Sequence, residues 1–225
     1  HATYIVETGQ KGHTEDPSNP WYTADGAAAG ESSNVAWNFD PNQTDDYFID
    51  WWMRAPFHAL GIVRPGLQTV GFCAFRDGSR SPASAAALNV LSGLGSATIT
   101  SPVYFPGNAT TINQSTYPGG EVPDPMTSCP PGWGAGSGLP VFVQLPAAVT
   151  AVSGHAFLDG GSNLPSCEES GADYVNPDAG SQQLGRILLG NVVVIIPQAP
   201  LASGHTYQVV IDVNGQHLVW GFTAG

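Results

Sequence analysis

The sequence predicts an α+β protein of two domains, and three observations carry that prediction. A chain of 225 residues is long enough to bury one large core or two ordinary ones. Helix-like segments and most of the tryptophan fall between residue 1 and about 75, whereas the runs beyond "RDGSRSPASAAALNVLSGLGSATIT" are β-branched or alternating. The 28 Gly and 19 Pro, with charged residues at only 11%, favour short strands and turns over long helices. A boundary near residue 98 separates a helix-containing domain, 1–98, from a β-sandwich, 99–225, approached through a loop-rich stretch from 99 to 135.

The elements follow in order. "HATYIVETGQKG" reads as a helix whose apolar face is Ala2, Tyr4, Ile5 and Val6 and whose stop is Gly9 or Gly12. The chain starts inside that pattern, so more helix is expected upstream. "TDDYFIDWWMRAP" is a second helix, with Thr44 as N-cap and Asp45 and Asp46 favouring its positive end. Its Tyr47, Ile49, Trp51 and Trp52 form too wide an apolar surface to stay exposed. A third helical segment ends near "APFH", and "LGIVRPGLQTVGF" starts a new apolar run. Strands are expected at 140–146, 191–198, 205–215 and 216–224, the last two joined by the hairpin signal Asn214-Gly215. The Gly/Pro-rich stretch 117–138 is an ordered loop if a disulfide pins it and a flexible one otherwise.

Eighteen acidic against 6 basic residues give a formal charge of −12, which repels a phosphate backbone and excludes nucleic acid as a partner. No apolar run approaches the roughly 20 residues that span a bilayer, so the chain is read as not transmembrane. Of three cysteines, Cys129 and Cys167 lie in loop-like settings and Cys73 in the apolar "VGFCAF". Pairing Cys129 with Cys167 and burying Cys73 as a thiol is the simplest arithmetic, although free cysteine is also a common core residue. Such a bond places the protein in an oxidising compartment, secreted or at the cell surface.

Two histidines stand out. His13 follows a glycine and precedes the polar turn "TEDP", and His58 follows "APF" in a run that otherwise reads as buried. Each alone is as well explained by a hydrogen-bonded structural role; convergence on one cleft would make them functional.

"GHTEDPSNPWYTADGAAAGESSNVAW" followed by "FIDWWMRAPFHALGIVRPGLQTVGF" resembles the bacterial branch of the CAP superfamily (cysteine-rich secretory protein, antigen 5 and pathogenesis-related 1), also called the SCP domain. The resemblance rests on a "GHT" turn, an "SSN" segment and a "W…APFH" segment followed by "VGF", in the family's order, over roughly residues 1–76. It implies an α-β-α sandwich, here apparently lacking its opening residues, with a cleft of two histidines and usually two carboxylates that in some members binds a divalent metal. Residue by residue, His13 and His58 match the cleft histidines and so become the candidate metal ligands. Asp50 is the nearest candidate for one acid. Asn34 aligns with the asparagine of the family's "GEN", but Ser33 stands where the family has glutamate, and Glu31 two residues earlier is the other candidate acid. The C-terminal half resembles an immunoglobulin-like β-sandwich, with "PLASGHTYQVVIDVNGQHLVWGF" as its final hairpin.

These readings imply a secreted or surface protein that binds a small ligand, lipid or cell-wall component through the histidine cleft. A metal-assisted hydrolase using the same cleft is an alternative: imidazoles suit zinc or copper, a bound water could become the nucleophile, and His13, His58, Asp50 and Glu31 are the catalytic candidates. Without metal, paired histidine and carboxylate could act as acid and base. An extracellular assembly subunit forming homo-oligomers through strand edges is another alternative. A minor one is a copper-dependent polysaccharide oxygenase in which His1 chelates copper through its amine and ring.

Weaker signals complete the reading. No G-x-S-x-G surrounds Ser32 or Ser33. His155, His205 and His217 read as surface or turn residues, and Asp45-Asp46 and Glu168-Glu169 as solvated charges. "GNATT", "PNQTD" and "INQST" fit the N-glycosylation pattern. Trp21, Tyr22, Trp37, Trp51, Trp52 and Trp133 could line a groove, although packing explains large aromatics more often, and Trp133 is expected to be the most exposed.

Overall fold

The computed structural model describes residues 1–225 and divides into two contact units, His1–Met53 with Gly61–Ala97, and Arg54–Leu60 with Thr98–Gly225. The protein is mixed α+β, with five α-helices and three sheets. No helix is long and apolar enough to cross a membrane.

In the first unit, α1 (Ala2–Thr8) ends at Gly9, whose φ of 72° takes the left-handed cap conformation that glycine adopts without strain. Next come α2 (Ala24–Glu31), capped by the Thr23 hydroxyl, β1 (Ser33–Asn38) and α3 (Asp45–Arg54). The chain then passes through α4 (Pro56–Ile62), most of which groups with the second unit, before β2 (Gly71–Arg76) and β3 (Ser84–Asn89). These strands form an antiparallel sheet of order β1-β3-β2. Alternation along the strands separates two cores. Val35, Ala85 and Ala87 face Ala2, Ile5 and Val6 of α1, while Ala36, Ala86 and Leu88 face Phe48 and Trp52 of α3. The small side chains of β3 let a helix approach each face.

Cys73 departs from the buried thiol expected of it: it is free and exposed. It lies on β2, which pairs only with β3 and is therefore an edge strand. An apolar run does not distinguish an edge from a centre.

The second unit holds two sheets. One has the order β4-β6-β10-β9, from β4 (Val103–Phe105), β6 (Val141–Gln144), β10 (Val192–Pro197) and β9 (Ser166–Ser170). The other has the order β5-β12-β11-β7-β8, from β5 (Thr110–Ile112), β12 (Gln216–Ala224), β11 (Thr206–Val213), β7 (Val152–Asp159) and β8 (Ser162–Leu164). Its pairings are antiparallel except β5 with β12. The run "VVVIIP" is buried throughout because β10 is flanked on both edges. Tyr104 stacks on Trp220 across the two sheets, with ring centres 4.9 Å apart. The β11–β12 turn uses Asn214 at φ 51° and Gly215 at φ 75°, the pair of left-handed residues that a tight hairpin requires.

This half is not all-β. A ten-residue helix, α5 (Ala179–Leu188), follows Asp178, whose carboxylate accepts the Ser181 amide at 2.7 Å. Within the Gly/Pro-rich stretch, Pro125–Ser128 form a 3-10 turn leading to Cys129. Trp133 is half-buried, its indole N–H directed at the Ile196 carbonyl, and Trp21 is the exposed tryptophan.

Candidate functional site

His58 occupies the third position of α4, where backbone N–H groups have no partner inside the helix. Glu121, 63 residues later in the "PGGEVPDP" loop, supplies what they lack: its Oε1 accepts the His58 amide at 2.8 Å and the imidazole Nδ1–H at 2.6 Å. The imidazole is 12% exposed and the Glu121 side chain not at all. Burial drives the Glu121 carboxyl above its ordinary range, and hydrogen bonding to His58 pulls it back. The neighbouring Phe57 packs edge-on against Tyr174 with centroids 5.7 Å apart. Tyr174 is itself buried and donates its hydroxyl to the Asp124 carbonyl at 2.9 Å.

Around this pair the unit buries further acid. Glu169, on β9 opposite Val194, is fully buried, and one Oε1 contact is Cys129 Sγ at 3.9 Å. Its carboxyl is raised well above the ordinary range, first by burial and then by the charges of Glu121, Asp124, Asp173 and Glu168. Glu168 is pushed up to about 8 by burial and by Asp173. Glu121 Oε2, Glu169 Oε2 and the Tyr117 hydroxyl are buried without a hydrogen-bond partner. The pair Glu168-Glu169 is thus not the solvated charge expected: Cys167 and Glu169 share one face of β9, and that face is covered.

The Cys129–Cys167 disulfide is present, across 38 residues of sequence. Cys167 sits on a strand rather than in a loop, and is buried. Cys129, Cys167 and Glu169 bring their ligand atoms within 4.8 Å of one another, but the disulfide occupies both sulfurs.

The other candidates lie in the first unit. His13 is exposed and donates Nδ1–H to the Gly30 carbonyl at 2.9 Å, which places it beside the exposed Glu31 at the end of α2. Asp50 is half-buried on α3. His1 has both ring nitrogens engaged, Nδ1 with Glu15 at 2.9 Å and Nε2 with the Gly12 carbonyl at 2.8 Å. Copper chelation by the amine and Nδ1 would have to break the contact to Glu15, so this arrangement gives the oxygenase reading no support.

His155, His205 and His217 are exposed, the latter two against Asp159 and Asp212 at 2.7 and 2.6 Å. A hollow of about 290 Å³ in the second unit is lined by residues including Thr100, Ser101, Leu145, Pro146 and Asn214, with no histidine or acid in its wall.

Sequence reasoning missed Glu121 and Glu169. One of two acids in a Pro/Gly run, Glu121 had no other local sign; the alternation Cys167, Glu169 along a strand, had β9 been recognised, would have indicated the second. No family model matches this chain, and no curated protein matches it.

Proposed function

We propose that this chain is an extracellular CAP-like binding protein in which His58, held by Glu121, is the group that meets the ligand, a zinc- or copper-class cation being the ligand its chemistry suits most directly. The observation that carries the reading is the 2.6 Å contact of His58 Nδ1 with a wholly buried carboxylate. An imidazole that donates Nδ1–H to a carboxylate is held in one orientation and one tautomer, with Nε2 the basic nitrogen. Metal-ligating histidines are commonly supported in this way, and the same support raises ligand basicity. His13 has the same form, with Nδ1–H on the Gly30 carbonyl. The motif order of the CAP resemblance and the disulfide support an exported binding protein. A small molecule, lipid or cell-wall polymer engaged through the cation belongs to the same reading.

The test is calorimetric titration of the oxidised chain with zinc. Binding that His58→Ala abolishes, and that Glu121→Gln weakens by about 10–100-fold, supports the proposal. Equal affinity in wild type and His58→Ala defeats it.

The same pair supports hydrolysis as a second reading, because a carboxylate-oriented imidazole is also a competent general base. Loss of ester or peptide hydrolysis in a folded His58→Ala protein would favour it.

A further inference from the structure

Glu169 poses a problem that the His58 site does not solve. It is fully buried on β9, its Oε2 has no hydrogen-bond partner, and its Oε1 approaches Cys129 Sγ, a disulfide sulfur with no proton to give. The charges acting on it from neighbouring segments belong to Glu121, Asp124, Asp173 and Glu168, all acids. A carboxyl placed in a core with no cationic partner is costly, and two sulfurs lie within 4.8 Å of it. Cys167 and Glu169 stand two residues apart on the same face of β9, and Cys129 follows the 3-10 turn packed against that strand.

We propose that reduction of the Cys129–Cys167 bond converts this cluster into a site for a thiophilic divalent cation of the zinc class, ligated by both thiolates and the Glu169 carboxylate. The donor atoms already lie within 4.8 Å of one another. Bond lengths of about 2.3 Å to sulfur and about 2.1 Å to oxygen set tetrahedral ligand separations of roughly 3.5–3.8 Å, so the two sulfurs must part by roughly 1.5 Å or more once their bond is broken, while the carboxylate needs to close on them by about an ångström at most. Two soft sulfur ligands select zinc or cadmium over magnesium or calcium. Three protein ligands leave the fourth position to water, and Cys129, only half-buried, is the side from which water and cation arrive.

The chemistry balances with a dithiol as reductant. One of its thiolates attacks Cys129 Sγ, the sulfur–sulfur bond breaks, and Cys167 leaves as thiolate. The second thiolate of the reductant then displaces Cys129, leaving the reductant as its own disulfide and the protein with two thiol groups. The cation displaces the protons of both thiols and of the Glu169 carboxyl to solvent. In the oxidised protein both sulfurs are spent and the site is closed, so one bond selects between a covalent clasp and a metal site.

The test uses the full chain with Cys73→Ser, which removes the exposed thiol, reduced with a trialkylphosphine so that no competing thiol is present. Cadmium is titrated by calorimetry and by the ultraviolet thiolate-to-cadmium absorption, with near-ultraviolet circular dichroism reporting the packed aromatic core. The expected result is one cadmium per reduced chain bound with thiolate absorption, no such absorption from the oxidised chain, and at least about tenfold weaker binding in Glu169→Gln. If reduction loosens the core, cadmium is expected to restore the circular dichroism, and less effectively in Glu169→Gln. Absence of cadmium binding by a folded reduced chain, equal affinity in Glu169→Gln, or a reduced core that cadmium does not restore would each overturn the proposal. Because His58 lies outside this ligand set, His58→Ala is expected to leave the thiolate-to-cadmium absorption unchanged whether or not it removes zinc binding by the oxidised chain, which keeps the outcome separate from that of the zinc titration.

Discussion

His58 Nδ1 lies 2.6 Å from Glu121 Oε1, an oxygen that also accepts the His58 backbone amide. One buried carboxylate therefore fixes both the start of α4 and the orientation of the imidazole, and the two roles can be separated by substitution.

Glu121→Ala should destabilise the second unit by about 3 kcal/mol, because it strips a buried pair of one partner and leaves the His58 amide without an acceptor. Glu121→Gln keeps an acceptor for the amide and should cost less than half as much. Urea denaturation of the two variants checks the ordering.

Stability should fall as pH rises from about 4.5 to about 8, the ordinary and raised values for Glu168. A carboxyl whose folded-state pKa is raised binds its proton more tightly in the folded chain, so its contribution is fully present below the unfolded value and is lost as pH climbs through the folded value. Glu169 acts in the same direction. Denaturation midpoints across this range should decline for the wild type and flatten in Glu168→Gln and Glu169→Gln. A wild-type profile that rises over the same range would contradict the burial of these acids.

Replacing Cys129 and Cys167 by serine should cost about 4 kcal/mol, the loop-closure value for 38 residues of separation. The loss should appear as a lower denaturation midpoint for the second unit.

Gly185→Ala should be destabilising by about 1–3 kcal/mol, since a Cβ there would overlap the buried Tyr174 ring. Gly180→Ala, on the open first turn of the same helix, should be close to neutral. Thermal denaturation of the two variants provides the comparison.

What could be read in the sequence was what has a local pattern. The apolar face of α1, the wide surface of α3 and the Asn214-Gly215 hairpin all express periodicity or turn chemistry within a dozen residues. The disulfide followed from the count of three cysteines, although Cys167 lies on a strand rather than in a loop and Cys73 is exposed rather than buried. Three features escaped for different reasons. Helix α5 does space Leu184, Ile187 and Leu188 as one apolar stripe, but the stripe is only a turn long, follows the polar run "AGSQQ" amid strands, and leaves Leu184 and Ile187 exposed. Cys73 lies in an apolar run that an edge strand leaves open. The partnership of His58 with Glu121 spans 63 residues and depends on tertiary placement alone, so only one half of it, the polar ring in "APFH", showed in the sequence.

The measurement that tests the central claim most directly is a long-range nitrogen–proton correlation spectrum of the histidine rings, recorded on the oxidised chain before and after zinc. The account predicts that His58 carries its proton on Nδ1, that Nε2 is the basic nitrogen, and that the Nε2 resonance moves on zinc binding while Nδ1 keeps its proton. A His58 ring protonated on Nε2, or one whose nitrogens do not respond to zinc, would contradict it.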